Sequence, residues 1–463
     1  MKKVLLVAAL LLLPATASAG SARLAGLGDQ GLYLEDDSNV FTNPALLSFY
    51  ANRAWFSLGL VPDATTETGV RLDPHGGAAV RVRDVVTLGA VLNRSPELYG
   101  FGSALYPTMR AYLPQGPGGV ISGPAGPVQT TAPLRFPVDV FVAVGDPYGP
   151  FRFGFNIYYA GGTANEHVLD DADQDGLETT SEINRQTHLV NATLGASIGN
   201  PAQRARGEVW LRVGNMAAWY DEVTQRQTSA ATYEPITDRI VSMDRDLRVG
   251  GGFRVHLGDG LAGLVVTPGL TYDAAFGAYR FDDNRVNPDS DAEKSLRQAH
   301  SHDLKAGIGA AFRRDDLLVQ GSASLFARNT TRTDFTPEPD AQVLSQTTSQ
   351  WDVGVPQVAL GAEYRVLPWL TVRGSLSSIF GLGRSATNVD QRVGSEDVDP
   401  SEYYGLESGL FTEPLEPTGS VTAATGIGIE VKRFGFDAII GGNFLGEPGP
   451  LLFSRFDLRF IFD

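Results

Sequence analysis

The chain has 463 residues, with 53 Asp and Glu against 37 Lys and Arg, and no cysteine, for a formal charge of −16. The acidic excess leaves no basic stripe to neutralise phosphates, which argues against a nucleic-acid partner. The lack of cysteine excludes disulfide staples, thiolate metal sites and a lipoprotein anchor at the cleavage site.

The first nineteen residues read as a signal peptide. Lys2 and Lys3 form a positive start, "VLLVAALLLL" is the apolar core, and Ala17-Ser18-Ala19 is a cleavage pattern. The mature chain is expected to begin at Gly20 and to be exported. No later apolar run approaches the ~20 residues of a membrane helix. An exported chain without a helical anchor is either soluble or a β-barrel. With 53 Gly, 10% aromatic residues and a mean hydropathy of −0.08, the composition favours a barrel, because strands facing lipid on one side and water on the other average to such a value.

Residues 20–52 precede the first strand-like run and contain "ARLAGLGDQGLYLEDDSNVFTNPALLSFY". Asn43, Pro44 and Ala45 form a turn-like break between apolar flanks. The stretch resembles the N-terminal head of the FadL family, outer-membrane transporters of long-chain fatty acids and aromatic hydrocarbons. Ala22, Arg23, Gly26 and Gly28 match that family's A-R-x-x-G-x-G run. Asp36, Asp37, Asn43, Pro44 and Ala45 match its acidic segment and N-P-A turn. The resemblance implies that 20–52 is a hatch folded into the lumen of a barrel, with Asn43, Pro44 and Ala45 as its hatch residues. The family's N-P-A-G-L reads "NPALL" here. That leaves open related barrels with the same head, including secretion-system subunits without transport activity.

From residue 53 onward, period-two alternation dominates. In "FRFGFNIYYAG", Phe151, Phe153, Phe155, Ile157 and Tyr159 share one face, opposite Arg152 and Asn156. "LRVGGGFRVHL", "QVALGAEYRV" and the terminal "RFDLRFIFD" behave alike. Short turns at 83–84, 146–150, 200–206, 258–260, 313–316, 367–368 and 433–434 alternate with long connections near 62–75, 93–134, 162–185, 220–243, 281–300, 329–350 and 385–418. Short turns on one side and long loops on the other are the mark of an up-and-down outer-membrane barrel. Residues 53–463 are therefore predicted to form an all-β, antiparallel transmembrane barrel of 14–16 strands. The alternation counts sixteen, whereas the resembled family has fourteen. The last strand must close on the first, near "RAWFSLGLV". The aromatic row ending at Phe462 looks like the signal that barrel-assembly machinery reads during biogenesis.

Candidate chemistry is sparse. In "DADQDGLETTSE", Asp171, Asp173 and Asp175 stand at positions 1, 3 and 5, with Gly176 at 6 and Glu182 at 12. Leu177 offers a carbonyl, and the set fits a structural calcium loop, although Glu178 and the absence of flanking helices depart from that template. A solvated acidic loop tip is the competing reading. "GASIG" around Ser197 has the form of a nucleophile elbow, but no helix follows it. His300 and His302 share a strand face without a third ligand. No phosphate loop or cofactor fingerprint appears, and the chain does not read as an enzyme. Pro137, Pro268 and Pro356 interrupt strands and belong at edges or bulges. The FadL resemblance implies a side opening at a kinked strand, for which Pro137 is the candidate; the plainer reading is the start of a strand.

The expected function is passive, hatch-gated uptake of a hydrophobic small molecule across the bacterial outer membrane, among lipid and lipopolysaccharide. "VISGPAGPVQTTAPL" would form part of a lid. Arg212, Arg254, Arg365, Arg373 and Arg459 are expected to face inward, where they could meet a carboxylate. The alternative is a plugged barrel with a structural, assembly or secretion-system role. A barrel lipase is a third reading, opposed by the lack of a credible Ser–His pairing. A continuous apolar tunnel favours transport, and a lumen of charged pairs favours the plugged barrel.

Overall fold

The computed structural model describes residues 23, 27, 32–33, 36–62, 70–94, 135–170, 179–199, 205–229, 232–258, 263–285, 293–335, 343–379, 384–393, 407–414, 421–442 and 453–462. Two 3₁₀ turns, Asp37–Phe41 and Pro44–Tyr50, lead into one antiparallel sheet. Its strands begin with β1 (Arg53–Pro62), β2 (Val70–Arg83), β3 (Val86–Leu92) and β4 (Arg135–Val144). Longer strands follow: β5 (Phe151–Asp170), β6 (Thr179–Ile198), β7 (Ala205–Ser229), β8 (Thr232–Gly258) and β9 (Gly263–Arg285). Next come β10 (Glu293–Arg314), β11 (Leu317–Phe335), β12 (Val343–Leu367), β13 (Leu370–Ile379) and β14 (Arg384–Val393). The ring ends with β15 (Glu407–Pro414), β16 (Val421–Val431), β17 (Phe434–Gly442) and β18 (Phe453–Ile461).

The sheet closes on itself. Arg53–Gly59 of β1 pair with Arg455–Ile461 of β18, and the other edge of β1 pairs with β2. β13 and β14 run along successive halves of β12, and β16 and β15 run along β13 and β14. Each of these pairs is one interrupted stave, so the barrel has sixteen staves, as the alternation counts.

The pleat sorts side chains onto two faces. On β5, Phe151, Phe153, Phe155, Ile157 and Tyr159 are exposed on the outside, while Arg152, Gly154, Asn156 and Tyr158 are buried on the inside. Val80, Leu88, Val140, Leu194, Leu211, Phe253, Ile308, Leu360 and Phe434 continue the apolar exterior around the ring. The run from Phe151 to Tyr159 covers roughly 20–25 Å at the usual strand tilt, about the height of a barrel's lipid-facing band. A closed ring with apolar side chains outside and Arg, Asp, Glu and Asn inside is the membrane-spanning form of β-structure.

The long connections between β5 and β12 need correction. Most of 162–185, 220–243, 281–300 and 329–350 is strand, so those hairpins extend well past the apolar band. β14 and β15 likewise occupy much of 385–418. Much of the sequence of these arms is polar. Thr330, Thr331, Arg332 and Thr333, for example, pair with Gln350, Ser349, Thr348 and Thr347. A run of polar residues carries no hydrophobic period, and backbone pairing extends the ladder there.

The prolines sit at irregularities, as expected. Pro137 lies in a bulge where β4–β5 pairing skips from Val138 to Arg135, and its carbonyl accepts from the Asn93 N–H at 2.7 Å. Pro356 lies in the register shift of β12 against β11. Pro268 pairs with Ile308 on one side, while the β8–β9 pairs resume only at Arg254–Gly269 and Leu257–Val266 around it.

Lipid exposure of the outer face is testable. Ile308→Lys places a charge in the middle of the apolar band and is expected to cost about 2–4 kcal/mol. Denaturant titration of protein folded into bilayer vesicles measures it, and an unchanged midpoint would contradict a lipid-facing position.

Candidate functional site

The N-terminal segment lies inside the ring. Asp36 caps the first 3₁₀ turn by accepting from the Ser38 N–H at 3.0 Å. Asn43 caps the second, with its Oδ1 accepting from the Ala45 N–H at 3.2 Å, and Pro44 occupies the first position, where no donor is required. This local chemistry folds "NPA" into a compact turn.

That turn rests on two glycines. Gly154 of β5 and Gly195 of β6 are directly opposite in register and face inward. A Cβ on Gly154 would overlap the Pro44 carbonyl carbon and the Ala45 nitrogen, and one on Gly195 would overlap Asn43 Oδ1. The Asn43 amide also donates to the Ala196 carbonyl and to Glu208 Oε2, both at 3.2 Å. Glu208 on β7 is the hub of this sector. Its Oε2 accepts from Arg254 Nε at 3.0 Å and Nη2 at 2.9 Å, and its Oε1 lies 3.1 Å from His256 Nε2. Arg254 reaches back to the segment through the Leu32 carbonyl at 3.3 Å.

A second anchor joins the two halves of the N-terminal motif. Arg23 donates to Glu363 of β12 through Nε at 2.8 Å and Nη2 at 3.2 Å, and lies 3.7 Å from Asp36. Glu363 also accepts from Arg373 at 2.6 Å, and Arg373 pairs in turn with Asp437. Burial pushes the Asp36 carboxyl up to about 6, while Arg23 pulls it the other way. Gln320 donates to the Leu27 carbonyl at 3.1 Å.

The remaining contacts are apolar and cationic. Val40, Leu46 and Leu47 pack against Ala79, Val91, Phe141 and Ala143 on the inner wall of β2, β3 and β4. Full burial contributes roughly 1.5–3 kcal/mol per large aliphatic side chain. The Arg94 guanidinium lies 3.6 Å from the Phe41 ring centroid and that of Arg152 lies 4.4 Å from Phe49, cation–π contacts that hold the segment's aromatic residues. Arg81 donates to the Ser48 carbonyl at 2.7 Å.

Among the other predicted positions, Asp171, Asp173, Asp175 and Leu177 lie outside the described residues, as do the signal peptide, Ala22, Gly26, Gly28 and the lid stretch. Glu182 is an exposed residue of β6, opposite His167. Ser197 accepts from Arg152 at 2.7 Å near the end of β6, a structural bond. His302 accepts or donates at 2.8 Å with the Tyr272 hydroxyl, and the Phe276 ring lies edge-on to both His300 and His302. Of the five arginines expected to face inward, Arg212, Arg254, Arg373 and Arg459 pair with Asp273, Glu208, Glu363 and Glu430. Arg365 sits near a turn, 3.9 Å from Asp316. Sequence reading missed Glu208, Glu363 and the glycine pair. Their signal was present: in "FRFGFN" and "TLGASIG" a glycine falls on the inward parity, and each glutamate is a lone inward carboxylate.

No family model matches the chain, and no curated protein matches it. Among solved structures it is similar to the CymD monoaromatic hydrocarbon channel, at 10% identity over 97% of this chain and 98% of that one, with a TM-score of 0.37. The toluene transporter TbuX of Ralstonia pickettii matches at 11% identity over 97% and 100%, with a TM-score of 0.34. The ferric yersiniabactin uptake receptor FyuA of Yersinia pestis matches at 9% identity over 89% and 80%, with a TM-score of 0.32.

Two outcomes follow from the docking geometry. Gly154→Ala overpacks the Pro44–Ala45 turn and is expected to loosen it by about 1–3 kcal/mol, read as faster amide exchange over residues 39–50. Gly207→Ala, which meets nothing within 4 Å, is the neutral control, and equal effects would refute the seat. The second outcome concerns pH. A carboxyl raised by docking favours the docked state when neutral, so that contribution is complete below the ordinary value near 4 and is lost as pH rises through about 6. Exchange over 39–50, corrected for its intrinsic pH dependence, is expected to quicken between about pH 4 and pH 6 and to level off above about pH 7. Asp36→Asn, which keeps the cap, is expected to flatten that rise.

Proposed function

We propose that the chain is an outer-membrane channel for passive uptake of hydrophobic small molecules, fatty acids or hydrocarbons, with residues 20–52 as its hatch. The observation that carries this reading is the apolar sector of the inner wall. Ala79, Val91, Phe141 and Ala143 are covered by Val40, Leu46 and Leu47 of the segment, not by another strand. When the segment leaves, that sector is the surface a hydrophobic ligand can cover in its place. The lumen elsewhere is lined with ion pairs, including Arg212–Asp273, Arg248–Asp246 and Arg459–Glu430. An apolar solute crossing such a lining gains nothing and displaces bound water, so exit through the wall is the cheaper route. The bulge at Pro137, beside the apolar sector, is the candidate for that exit.

The same ion pairs favour a second reading, a plugged barrel that serves assembly or secretion of other exported proteins. Uptake decides between them. Cells lacking their own transporter, and expressing the intact chain, are expected to take up radiolabelled long-chain fatty acid or a labelled aromatic hydrocarbon. Asn43→Ala with Pro44→Ala, checked for equal insertion, is expected to lower that uptake. No uptake of either compound by a well-inserted barrel would discard the channel in favour of the assembly role.

A further inference from the structure

Beside the glycine seat, the inner wall carries a strip of sealed polar side chains. Asn156 of β5 stands opposite Thr193 of β6, one inward-facing step beyond the Gly154–Gly195 pair. Asn191 is the next inward residue on β6, opposite Gly214, and Trp210 of β7 stands opposite Gly195. None of the four is more than 3% exposed. Asn156 donates to Asp139 at 2.8 Å, yet its Oδ1 has no partner among the described residues. The Thr193 hydroxyl, both polar ends of the Asn191 amide and the Trp210 indole N–H have none among the described residues either. Buried polar groups are ordinarily hydrogen-bonded, so neighbouring exceptions call for a physical account.

The charges around the strip are already matched. Arg94 lies 3.4 Å from Asp139, Arg212 lies 3.0 Å from Asp273 and Arg248 lies 2.7 Å from Asp246. A carboxylate arriving here would meet arginines whose charge is taken and carboxylates that repel it. The unmet groups of these four residues are neutral, and they include both donors (Trp210 Nε1, Asn191 Nδ2) and acceptors (Asn156 Oδ1, Asn191 Oδ1). A hydroxyl donates and accepts at one atom, and so complements both kinds.

We propose that Asn156, Thr193, Asn191 and Trp210 form a subsite for the uncharged hydroxyl of a hydrophobic ligand, a phenol or an alcohol, uncovered when the hatch turn leaves Gly154 and Gly195. The inference rests on the hatch reading above. The seated state leaves these groups without partners, and the ligand supplies them only in the unseated state. Ligand binding therefore shifts the hatch toward release by its differential affinity for the two states. A hydrocarbon without the hydroxyl supplies none of these bonds and is discriminated against.

The test compares 4-ethylphenol with ethylbenzene on the full chain in lipid nanodiscs, reading affinity by equilibrium dialysis and hatch release by amide exchange over residues 39–50. The phenol is expected to bind about tenfold more tightly and to speed exchange more. Asn191→Leu with Thr193→Val is expected to abolish that preference and to slow exchange in the absence of ligand, since apolar replacements remove the unmet groups. Trp210→Phe deletes one donor with little change of shape, and is expected to reduce the preference severalfold even if the double variant does not insert. Equal affinity of the two compounds for the intact chain, or a preference that survives in the variants, overturns the subsite alone. If neither compound nor Asn43→Ala with Pro44→Ala alters exchange over 39–50, the hatch reading fails and the subsite fails with it.

Discussion

In hydrocarbon a backbone N–H or C=O has no water to turn to, so a sheet that crosses a membrane must leave no edge. The pairing of β1 with β18 meets that demand, and the rest of the molecule follows from it. A closed ring has an inside and an outside, and the pleat assigns alternate residues to each. The outside must be apolar along the band that meets lipid. The inside of a sixteen-stave ring is too wide to be filled by wall side chains alone. Something else must occupy it, and here that is the N-terminal segment.

The polar character of the lumen sets how the segment is held. Burying a single charge is costly, and a partner repays the cost only with good geometry. The wall accordingly presents arginines and carboxylates as matched sets around two hubs, Glu208 and Glu363. Each hub takes one group from the segment, the Asn43 amide at Glu208 and the Arg23 guanidinium at Glu363. Such bonds are directional, so they fix where the segment sits. The apolar contact with β2, β3 and β4 supplies area without direction. Recognition and adhesion are thus divided between two sectors of one wall.

The close fit comes from absence of side chain. Gly154 and Gly195 let the backbone of the Asn43–Ala45 turn approach the wall more closely than any Cβ would permit. The turn is thereby located by backbone contact as well as by the Asn43 bonds to Ala196 and Glu208.

The alternation of "FRFGFNIYYAG" and its counterparts was enough to predict a barrel of 14–16 strands and its closing pair, because a two-residue period beside lipid writes burial directly into residue type. The N-P-A turn was also readable, since Asn and Pro specify their own local geometry. The polar arms of β5 to β12 were not, because polar residues leave no hydrophobic period for the eye to follow. The seat and the hubs lay further still from sequence: Gly154 meets Gly195 from another strand, and Arg23 meets Glu363 from 340 residues away. Each of those residues is ordinary in its own strand. Only closure of the ring brings them to one place, because the partner of an inward side chain is set by the register of the whole barrel and not by its neighbours in the chain.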